Sequence, residues 1–185
     1  MENPPAHLER AKTGGNGLAT SSTVARWELA HRLKVRRNEL GIGVDQIAKH
    51  LGFTRNFFSA VENERSMLAT EKLEVLLVML EFDEAEQEEL LGLDTDARDR
   101  SWWELREATE VLDEVGSRLL GLEQGATEIR TFDSLLVPGL LQMPDYIRLV
   151  LENDPVSSPL DVDRLISIRV RRQRELFQRR PRFIA

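Results

Sequence analysis

The chain of 185 residues has no cysteine, which excludes a disulfide framework and a thiolate metal site and points to a reducing cytoplasm. It has no long apolar run either. The longest, Val75 to Leu80, falls far short of the roughly 20 residues that a membrane-spanning helix needs, and the Pro4-Pro5 start does not look like a signal peptide. Its histidines, His7, His31 and His50, are scattered without metal-ligand spacing, and no Ser/His/Asp arrangement can be assembled. Glu123 and Glu128 are the one carboxylate pair worth weighing for acid-base work, but such pairs are common on helix faces. The expectation is a non-enzymatic protein with no metal and no other cofactor, acting outside the membrane.

What is present is charge sorted into blocks. The formal net charge is −7, yet residues 21 to 65 carry eight Lys/Arg against five Asp/Glu, a net of +3. Residues 66 to 115 carry four against sixteen, a net of −12, and residues 164 to 182 carry eight Arg against one Glu, a net of +7. Association responds to the local field more than to the total, so the first block can face phosphate while the acidic middle repels it. A basic face on a terminal helix is most often simply solvated.

Residues 1–20, with Pro4, Pro5 and the run Gly14-Gly15-Asn16-Gly17, read as a disordered tail. Beyond them the chain reads as successive helices. Val24, Trp27, Ala30 and Leu33 recur at helical spacing behind a possible cap in Ser21-Ser22-Thr23, with an end near Gly41 and Trp27 in the core. A short helix follows from Val44 to Leu51, ended by Gly52. Thr54 caps a third, and Phe53 is placed to staple onto Phe58. Further helices are expected over Thr70–Phe82 and Asp83–Leu91, the latter with the capping pair Asp83 and Glu86.

The charged stretch 94–100 reads as a solvated linker between domains 21–93 and 101–185. In the second domain Ser101 and Glu104 form a capping box ahead of a helix at Trp102-Trp103. Another helix is expected near Ser117–Gln124, then a short strand or extended connection over Ala126–Phe132. A helix from Pro144 to about Glu152 and a long one from Ser158-Pro159 to about Arg180 complete the series. The expected fold class is mainly α: a five-helix helix-turn-helix domain, then a mostly helical domain with at most short strands.

Two short helices joined as tightly as Val44–Leu51 and the one after Thr54 are a helix-turn-helix signature. A helix fits the major groove, its leading side chains reach base edges, and its N–H groups and dipole favour phosphate. That selects Thr54 for phosphate, Arg55 for guanine, Asn56 for adenine and Phe57 for a thymine methyl, with Ser59 and Ala60 one turn later.

The stretch from Arg37 to Arg65 resembles the phage-repressor type of helix-turn-helix, the xenobiotic-response-element group of regulators. Ile42, Ile47, Ala48, Leu51, Phe58 and Val61 fall where that group packs three helices, and Gly52 falls at the turn. The resemblance implies a lambda-repressor-like fold, backbone contacts by Asn63 and Arg65, and a buried ion pair between Arg37 and Glu62. It also marks two departures: Val44 stands where the group has a glutamine touching DNA, and Glu64 where a glycine ends the recognition helix.

In the second half, Trp102-Trp103, the run Leu120 to Ala126, Val137-Pro138-Gly139-Leu140-Leu141-Gln142, Tyr146 and Arg172-Gln173 resemble the uncharacterised C-terminal domain attached to many actinobacterial regulators of the same group. That domain is described as antitoxin-like and as acting with a small partner protein. It continues past the position of Phe183-Ile184-Ala185, so the resemblance implies a shortened domain whose last segment is a strand without its partners.

Two functions compete on this reading. The first is a cytoplasmic, homodimeric transcription regulator that binds double-stranded DNA. The alternative is an antitoxin-like interaction protein whose acidic middle, Glu81 to Glu114, captures a basic partner. Trp102, Trp103 and Tyr146 are candidate walls of a ligand or partner pocket in the second domain.

Overall fold

The structure, a computed structural model, describes residues 21–154 and 158–185. The expected tail, 1–20, lies outside the described residues. The chain divides into two compact units between Asp99 and Arg100.

In the first unit, Ser21 accepts a hydrogen bond from the Val24 amide and starts α1 (Ser22–Glu39). Then come α2 (Val44–Leu51), α3 (Arg55–Glu62), α4 (Thr70–Met79) and α5 (Glu84–Arg98). Each helix sends its helically spaced apolar residues to one centre: Leu29 and Leu33, Ile47 and Leu51, Phe58 and Val61, Leu73, Leu76 and Leu77, and Leu90. Phe58 and Ile47 are completely buried, which makes this cluster the main stabilising element of the unit.

Two expectations change here, at Trp27 and at the end of the fourth helix. Trp27 is 41% exposed, with its ring stacked 5.3 Å from His31 instead of entering the core. Phe53 packs against the cluster that holds Phe58, and its ring also meets that of Phe57, with centroids 4.5 Å apart. The fourth helix stops at Met79, before Phe82, because Glu81 takes φ 56° and reverses the chain. Arg36 accommodates that reversal by donating to the Leu80 and Glu81 carbonyls, both at 3.0 Å.

The largest correction concerns 94–100, most of which is the end of α5 and not a linker. Asp94 is 2% exposed and accepts from Thr70 Oγ1 at 3.0 Å and from Arg98 Nη2 at 2.8 Å. Arg98 also donates to the Leu68 carbonyl, and Ala97 is fully buried. The alternating charges are an i, i+4 pair folded onto the core edge, which supports a helix where solvation alone argued for a loop.

The second unit starts with a 3-10 turn at Trp102–Glu104 instead of a helix, and α6 (Arg106–Thr109) follows. Then come α7 (Glu114–Gly125), which starts earlier than expected because Asp113 caps it through the Gly116 amide, and β1 (Glu128–Arg130). α8 (Pro144–Glu152), α9 (Val162–Arg179) and β2 (Arg182–Ile184) complete it. A 3-10 turn over Pro159–Asp161 delays the start of α9. The final segment has a strand partner after all: β2 pairs in parallel with β1, Ile129 opposite Phe183. Among the described residues the chain is therefore mainly α, with nine helices and one two-stranded sheet.

Candidate nucleic-acid interface

The turn between α2 and α3 sets the geometry. Gly52 takes φ 78°, a conformation that costs any other L residue. The reversal brings the Phe53 amide to the Ala48 carbonyl at 2.8 Å and closes α2. Thr54 is extended, and its Oγ1 accepts from the Phe57 amide at 3.2 Å. Its hydroxyl hydrogen remains a donor, and the amides of Arg55 and Asn56 have no acceptor within the helix.

Phe58, Val61 and Glu62 are buried, so the opposite stripe of α3 faces outward. Asn56, Ser59 and Asn63 share that stripe at i, i+3 and i+7. Thr54, Arg55, Asn56, Asn63 and Arg65 are exposed, whereas Ser59 and Ala60 are half-buried. Asn63 Nδ2 donates to the Ser59 carbonyl at 2.7 Å, which holds the end of the helix. Phe57 and Val44 are half-buried against the core cluster and supply packing at the edge of the surface.

Beneath this surface lies an ion pair. Arg37 Nε and Nη2 donate to Glu62 Oε1 and Oε2 at 2.5 and 3.0 Å, and Nη1 donates to the Ile42 carbonyl at 2.9 Å. One guanidinium thus joins the end of α1, the loop before α2 and the end of α3. Directly after α3, Glu64 has φ 63°, and the Arg65 amide reaches the Ala60 carbonyl at 2.9 Å. The left-handed position falls on a glutamate, whose Cβ is disfavoured there.

Sequence reasoning missed Asp45, the second residue of α2. Its Oδ2 lies 3.3 Å from Arg55 Nη1, and both side chains are largely exposed. Opposite charges ten positions apart on different helices leave no periodic signal. Gln46 was also missed: its Oε1 accepts from the Gly43 amide at 2.7 Å and opens α2.

In the second unit, Trp102 and Trp103 meet edge to face at 5.8 Å, and the Arg171 guanidinium lies 4.5 Å from the Trp102 ring. Tyr146 instead accepts from the Val137 amide through its hydroxyl at 3.4 Å, and among the described residues it makes no ring contact with either tryptophan. Glu123 is buried against Arg172 at 2.6 Å, while Glu128 pairs with Arg130 and Arg182, so the two carboxylates serve separate ion pairs. Arg169 donates to Gln142 Oε1 at 3.1 Å, and burial, with Arg172 nearby, lowers its affinity for its proton below the ordinary arginine range. Gln173 donates to the Gly139 and Gln142 carbonyls, which ties the Pro138 to Gln142 segment onto α9. Among the described residues no group of His, Cys, Asp or Glu is placed to hold a metal ion, and no helix is long and apolar enough to cross a membrane.

Comparison with curated proteins and with solved structures gives no match. Residues 28–90 match a family described as a helix-turn-helix domain, a span that holds all of α2, α3 and α4. Residues 117–185 match a domain of unknown function, DUF5753. The two matched stretches are thus similar to two different domain families, the first within the first compact unit and the second within the second.

Proposed function

We propose that this protein is a sequence-specific transcription regulator of the xenobiotic-response-element type, reading the major groove of double-stranded DNA with α3. The observation that supports this best is the outward-facing start of α3, with Thr54, Arg55 and Asn56 all exposed on a helix whose other face is locked into the core. Arg55 donates in a fork to guanine O6 and N7, and Asn56 pairs with adenine N6 and N7, each contact worth about 1–3 kcal/mol of discrimination. The Thr54 hydroxyl, the first amides of α3 and Arg65 hold phosphate. Because so short a reading head supplies little affinity alone, the working form is a homodimer on a two-fold site in the cytoplasm.

Selection from short random-sequence duplexes tests this. Wild type should enrich a defined sequence, and Arg55→Ala with Asn56→Ala should lose that preference while staying folded. Unchanged enrichment by the double variant would refute the assignment.

A second reading concerns the C-terminal domain. Phe132, Leu135 and Leu160 are each 91% exposed, and Leu136, Val137, Leu141 and Met143 are exposed close by in sequence. So much apolar surface favours a protein partner for this domain, in line with the antitoxin-like resemblance.

A further inference from the structure

Arg55 does not project freely from α3. Asp45 Oδ2 lies 3.3 Å from its Nη1, with the two side chains 69% and 68% exposed. In open solvent such a pair contributes little to stability, so its presence calls for another consequence. We infer that Asp45 is a specificity-determining residue that aims the Arg55 guanidinium and restricts what it can bind. This inference rests on the reading of α3 as the DNA-recognition helix.

The guanidinium is a planar fork of five N–H donors. A carboxylate on Nη1 leaves the edge formed by Nε and Nη2 free, and that edge carries the two parallel donors that guanine O6 and N7 require. Asp45 therefore fixes the plane of the fork without consuming its bidentate edge. Anchoring also acts on phosphate. An unrestrained arginine swings to the nearest backbone oxygen on any sequence, whereas here it must first leave a carboxylate that itself repels phosphate. Closing the groove removes water, and the pair strengthens where the base matches. The result is lower affinity for arbitrary DNA and sharper choice of guanine.

Asp45 also lies in the first turn of α2, where an acid complements the helix dipole. That role alone would alter stability and leave base choice untouched, so base choice is the readout. Wild type, Asp45→Ala, Asp45→Asn and Asp45→Glu are each selected on short random-sequence duplexes, and each is titrated with a mixed-sequence duplex over a range of salt. The Ala and Asn variants should weaken the guanine preference at one position about tenfold and bind mixed-sequence duplex several-fold more tightly, and Glu should restore part of the preference. Placing Asp45→Ala in an Arg55→Ala background should produce no further change in preference. A wild-type preference retained in full by the Ala and Asn variants would overturn this inference alone. A wild type that binds no duplex would overturn the reading of α3 and this inference with it.

Discussion

At the scale of single residues, the first unit depends on a few side chains that join elements. Arg37 satisfies Glu62 through two buried hydrogen bonds and the Ile42 carbonyl through a third, part-buried one. Removing the cation leaves Glu62 buried and unpaired, so Arg37→Ala should lower stability by about 3–5 kcal/mol. Chemical denaturation checks this, and an unchanged midpoint would show that the pair is dispensable. Glu64 gives the opposite case. It holds φ 63° at the position that closes α3, so Glu64→Gly should relieve about 1 kcal/mol of backbone cost. The same change removes an acid beside the proposed phosphate contacts, so the melting point and duplex affinity should rise together. A fall in both would contradict the account.

At the scale of elements, local signals were the legible ones. Ile47, Ala48 and Leu51, closed by Gly52, mark α2 because a left-handed glycine and a helical apolar stripe are both encoded nearby in sequence. Thr54, Arg55 and Asn56 were legible for the same reason: a cap fixes where α3 starts, and the start fixes which side chains lead. The end of α5 was not legible, since charge alone cannot say whether Asp94 faces water or Thr70. Asp45 opposite Arg55 was hidden likewise, because the pair depends on how two helices cross. The capping box at Ser101 and Glu104 forms, yet only a 3-10 turn follows before Leu105 turns extended. Asp94→Ala should cost about 1–3 kcal/mol by stranding the donors of Thr70 and Arg98. Amide exchange should then quicken over the last turn of α5, and exchange confined to other helices would count against this role.

At the scale of the whole molecule, two compact units carry different chemistry on one acidic chain. The net charge of −7 opposes nucleic acid overall, yet the block from 21 to 65, which builds α1 to α3, is net positive. The acidic excess falls mainly on α5 and the start of the second unit, so within the first unit the charge is sorted, with α1 to α3 basic and α5 acidic. In the second unit, α9 is rich in arginine, but Arg164, Arg171 and Arg172 are engaged with Glu110, Glu175 and Glu123.

The most direct measurement is site-directed photocrosslinking to a selected duplex, with the reactive side chain placed at Asn56 in one variant and at Glu88 on α5 in another. The account predicts an efficient crosslink into base edges from position 56 and none from position 88. A duplex captured from position 88 while position 56 stays unreactive would contradict it.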